Sequence, residues 1–128
     1  MEKRQTEEVI KTWIKLTKSK HDSEEYHYHF WAFDYISLAV HREPEEAWKI
    51  ILGILKADSS DIILQNLSAG PLEDLLVFHG KDFIERIKQE VTSNKMFAKL
   101  IGGVWKNVME EDIWNQVQSL QAKYSEVY

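Results

Sequence analysis

The stretch "SAGPLEDLLVFHG", residues 68–80, decides how the chain is read, because a Gly-Pro step, an acidic pair and a His-Gly can build either a site loop or a joint between helices. Every odd residue in it serves a helix terminus. Gly70 is placed to close one helix in the left-handed conformation, and Pro71 starts the next, where its missing N–H costs nothing. Glu73 and Asp74 then fall in a first turn that favours anions, Leu72, Leu75 and Leu76 form an apolar stripe, and His79-Gly80 ends it. The stretch reads as a joint, and the chain around it reads as helix.

Working outward, apolar residues recur at helical spacing nearly everywhere, with only 2 prolines and 5 glycines to interrupt them in 128 residues. The fold class expected is all-α: a compact, single helical domain over residues 1–128 with seven to eight helices. Short connections allow the middle helices to stack in a HEAT-like pile. The first helix runs from about Gln5 to Lys18, with Ile10, Trp13, Ile14 and Thr17 on one face and Lys11, Lys15 and Lys18 on a solvated one. Ser23 caps a second that carries Glu24 and Glu25 in its first turn and ends near Arg42. Pro44 opens a third, "PEEAWKIILGILKA", whose apolar residues cover most of its circumference and place it among several neighbours. Asn94 caps a later helix with the stripe Phe97, Leu100, Ile101, Val104 and Trp105, so Gly102 and Gly103 fall in a helix interior and permit close packing. Ile113, Val117, Leu120 and Tyr124, spaced four, three and four, define the last. Pro44 and Pro71 stand 27 residues apart with similar acidic turns after them, but the likeness is capping chemistry and no repeat.

"PEEAWKIILGIL", "LSAGPLEDLLVFHGKDFIERI" and "FAKLIGGVW" together resemble a widespread bacterial helical domain of unknown function over about Trp31 to Trp114. The resemblance implies a small, helical, cytosolic protein and brings no catalytic residues with it.

Composition narrows the function. A net charge of -5 disfavours nucleic acid, which needs a concentrated positive field. The absence of cysteine removes disulfides, thiolate metal sites and thiol nucleophiles. No apolar run approaches the ~20 residues a membrane helix requires, and no signal-peptide core stands in residues 1–20, so the expected location is the cytoplasm, with no membrane partner.

The richest constellation is "EEYHYHFWAFDYISLAVH", residues 24–41. His27 and His29 would share a metal on a strand but lie about 200° apart on a helix, and Glu24-x-x-His27 has no second copy to complete a carboxylate-bridged site. No catalytic residue, metal or cofactor is expected. Phe30, Phe33, Ile36 and Val40 are expected inward, leaving Tyr28, Trp31 and Tyr35 as a second stripe that is either core or interface. As an interface, Tyr28, Trp31 and Tyr35 with Asp34 and His27 bind another protein, a basic one given the acidic surface. The function expected is a non-catalytic protein-binding module, such as an immunity or antagonist protein that blocks a toxin or effector; a homodimer uses the same features. The alternative is an enzymatic or small-molecule pocket lined by His27, Asp34, His41 and the aromatics. His79 is expected to hydrogen-bond a helix-end carbonyl.

Overall fold

A computed structural model describes residues 3–125 and contains helices and no strand among them. Two compact units make up the chain, the first ending at Asn66 and the second beginning at Leu67.

In the first unit, α1 (Thr6–Lys18), α2 (Glu24–His29), α3 (Trp31–Arg42), α4 (Pro44–Ala57) and the start of α5 (Asp61–Leu67) follow one another through short connections. Ser23 caps α2 as expected, its hydroxyl accepting from the Tyr26 N–H at 3.1 Å. Pro44 stands at the start of α4 with Glu45 and Glu46 beside it. α4 packs against both α1 and α3, and six of its fourteen residues are buried, which is why its apolar positions spread around the helix. Trp13, Ile36, Val40, Ile50, Ile51 and Ile54 form the centre of this core.

Where α4 meets α5, Asp58 bonds the backbone N–H of Ser60 at 3.0 Å and pairs with Lys18 of α1. The Lys18 ammonium, with the Ser60 contacts, holds the Asp58 carboxyl down at about 2. An unfolded aspartate titrates near ~3.9. The pair therefore stabilises the fold fully above that value and is lost as pH falls through about 2. Thermal denaturation should show a melting temperature that declines between pH ~4 and ~2, and Asp58→Asn should flatten that part of the profile.

The second unit holds a π-helical turn (Ser68–Leu72), α6 (Glu73–Ser93), α7 (Lys95–Ile101) and α8 (Glu111–Ser125). α6, α7 and α8 pack pairwise around Leu75, Phe83, Ile87, Phe97, Ile101 and Val117. Asn94 caps α7 by accepting from the Phe97 N–H at 3.2 Å, as its position predicts.

Three expectations change here. Gly70 does not close a helix in the left-handed region, for no glycine of the described residues has positive φ; Pro71 lies inside the π-helical turn instead. The wider π turn accommodates a residue that has no N–H to donate, so Gly-Pro bridges rather than punctuates. His79-Gly80 is a kink within α6, where His79 takes φ -136° and ψ 27°, and not its end. A Cβ on Gly80 would stand 2.9 Å from Ile113 Cγ2, so the glycine lets α8 close on the kink. Finally, residues 24–42 form two helices, because the ladder is interrupted at Phe30.

Candidate protein interface

α3 begins after the break at Phe30. Ala32, Tyr35, Ile36, Ala39 and Val40 are buried, and Phe33 is 51% exposed. Ile36 and Val40 thus face inward as expected, whereas Phe33 does not.

Tyr35 belongs to the core, at 6% exposure, and not to an open stripe. Its hydroxyl donates to Glu46 Oε1 at 3.0 Å and accepts from the Arg4 N–H at 3.2 Å, so the polar end of a buried ring is fully engaged. Burial pushes the phenol pKa up. Trp31 is half-buried, edge-on to Tyr35 at 6.4 Å, with the Arg4 guanidinium 4.6 Å above its ring. Tyr28, at 78%, is fully on the surface, as are His27 and Asp34. The five residues expected to bind a partner therefore divide into three on the surface, one partly covered and one interior.

Sequence reasoning missed the row the structure assembles instead. His21, Tyr26, Phe30 and Phe33 contact one another in succession, with ring centroids 4.8, 5.6 and 5.3 Å apart, the first two pairs tilted and the last stacked, and none of the four is buried. Tyr26, Phe30 and Phe33 are spaced four and three, the signal that could have found them as one face. Along the same segment Asp22, Glu24, Glu25 and Asp34 are exposed. Asp22 Oδ1 and His27 Nε2 form a 2.9 Å hydrogen-bonded pair within it. This segment combines exposed and half-buried aromatic rings with exposed carboxylates.

The polar residues of the alternative pocket, His27, Asp34 and His41, all occupy exposed positions. Among the described residues no three His, Asp or Glu side chains converge as a metal set. In the second unit, a cleft of about 220 Å³ opens beside the α6 kink, lined by Phe78, His79, Lys81, Glu110 and Ile113. Nε2 of His79 is buried without a hydrogen-bond partner, so it does not meet the helix-end carbonyl expected for it.

A family model for a family of unknown function, DUF6869, matches residues 19–125. The chain belongs to this family. The match reaches beyond the 31–114 segment expected from the motifs and takes in the aromatic row at α2 and α3 together with all of α8 but none of α1. No curated protein and no solved structure matches this DUF6869 chain. No helix of its described residues is long and apolar enough to cross a membrane.

Proposed function

We propose that this DUF6869 protein is a non-catalytic, cytoplasmic protein-binding module of the immunity or antagonist kind, which docks on a basic protein through the α2–α3 face. The observation that carries this reading is the aromatic row ending in the exposed Phe33, with the exposed Tyr28 and four exposed carboxylates on the same short segment, residues 22–34. Aromatic side chains anchor interfaces out of proportion to their number, and a rim of one sign steers partners of the other. A net charge of -5 acts in the same direction over the whole molecule. His27 and Asp34 take part as rim residues. Tyr35 and Trp31 act from beneath, by holding α3 in place.

Phe33→Ala combined with Tyr28→Ala is expected to weaken capture of the partner by about tenfold or more, with the circular dichroism spectrum unchanged. The measurement is a quantitative affinity capture from host lysate, with the retained proteins identified by mass spectrometry. Equal recovery by the wild type and the double variant would place the interface elsewhere. Recovery of this chain alone would point to a homodimer.

A further inference from the structure

The segment joining α7 to α8, residues 102–110, is held at several points and yet turns its largest apolar side chains to solvent. Val104 and Met109 are buried at its two ends, while Trp105 is 76% and Val108 78% exposed. The carboxylate of Glu73, itself only 8% exposed, accepts from the Trp105 N–H at 3.0 Å and from the Asn107 side-chain amide at 3.1 Å. Gln121 donates to the carbonyls of Ile101 and Val104 at 3.0 and 2.9 Å. Gly103 lies so close to Ser68 that a Cβ there would overlap its hydroxyl oxygen, and Asn107 takes φ 49°. A loop whose backbone is fixed in this way carries its indole on an ordered support, which removes the backbone part of the ordering cost of docking.

The charges that follow are negative. Glu110, Glu111 and Asp112 come directly after the buried Met109, and all three are exposed. Glu110 pairs with Lys81 at 3.6 Å and Glu111 pairs with Lys106, but these are surface pairs of small net worth, which an incoming cation can exchange. An indole face attracts a guanidinium or ammonium group, most strongly in the case of tryptophan. This chain already shows the geometry once, in Arg4 over Trp31.

We propose that the 102–110 loop is a second docking surface, one that seats an arginine- or lysine-bearing segment of a partner protein. The cation stacks on Trp105, Val108 covers the apolar stem, and the Glu110 and Glu111 carboxylates bind the charge. The inference stands on the second unit alone and survives if the α2–α3 face binds nothing.

The test uses the full chain labelled with nitrogen-15 and a blocked tri-arginine peptide as probe. The Trp105 indole N–H signal, assigned through Trp105→Phe, is expected to shift saturably with a dissociation constant on the order of 1 mM. Followed through the backbone amide signals of residues 106–110, which every variant retains, Trp105→Ala, or Glu110→Gln with Glu111→Gln, should weaken binding by about fivefold or more, and 0.5 M salt should weaken it further. All three positions are exposed, and circular dichroism confirms that the variants fold. No saturable shift at Trp105, an undiminished response in Trp105→Ala, or an equal response to a blocked tri-glutamate peptide would overturn the proposal. So would a Trp105 signal that answers to phosphatidylcholine vesicles and not to tri-arginine.

Discussion

Tyr35→Ala is expected to destabilise the first unit by about 3–5 kcal/mol, the range for removing a large buried ring. Three losses combine: the packing of a side chain 6% exposed, the hydrogen bond to Glu46, and the acceptor for the Arg4 N–H. Tyr35→Phe keeps the ring and removes only the hydroxyl, so its cost should be about 1–2 kcal/mol, the Arg4 N–H and Glu46 being left to find water at the edge of the core. Phe33→Ala and Tyr28→Ala, two and seven residues earlier, should each change stability by less than about 1 kcal/mol because their rings face solvent. Urea denaturation of the four variants separates core from surface along one helix pair. A neutral Tyr35→Ala would mean that the ring is not packed as described.

The second large effect is expected at Glu73. A carboxylate 8% exposed is costly to bury, and here it is compensated by two donors on one loop. Glu73→Ala leaves the Trp105 N–H without its acceptor and releases Asn107, at a cost of about 2–3 kcal/mol, since bonds to a charged group exceed neutral ones. Glu73→Gln keeps an oxygen for the Trp105 N–H and should cost less. Hydrogen exchange of the Trp105 amide reports the same event locally: protection should fall in Glu73→Ala well before the protection of Phe83 or Val117 is affected. Unchanged exchange at Trp105 would show that the loop is held by other means.

The fold was largely legible because most of its signals are local. Ser23 and Asn94 cap helices through hydroxyl and amide oxygens that the sequence displays, and Pro44 opens α4 where a proline belongs. Pro71 misled because the same missing N–H suits a π turn as well as a helix start. Trp105 misled through periodicity: Ile101, Val104 and Trp105 are spaced as a helical stripe, and Val104 is indeed buried. The backbone leaves the helix after Ile101, so the same spacing turns Trp105 outward. Glu73 and Gln121, distant in sequence, hold that turn, and no local pattern contains them.

The candidate interface was half legible for a similar reason. Two aromatic stripes on one helix cannot be ranked from spacing alone, and it is Tyr35, not Phe33, that the core takes. Tyr35 fits inside because its hydroxyl reaches Glu46 and the Arg4 N–H, partners eleven and thirty-one residues away. Phenylalanine has no such polar end, and Phe33 lies against Phe30 on the surface instead.

The most direct test of the binding role is site-specific photocrosslinking with a photoreactive phenylalanine at position 33, and with the same group at Ile62 as an exposed apolar control. In host lysate the account predicts one discrete adduct from position 33, containing a basic protein and displaced by excess unlabelled chain, with none from position 62. An absence of adduct at 33, or the same adduct from both positions, would contradict it.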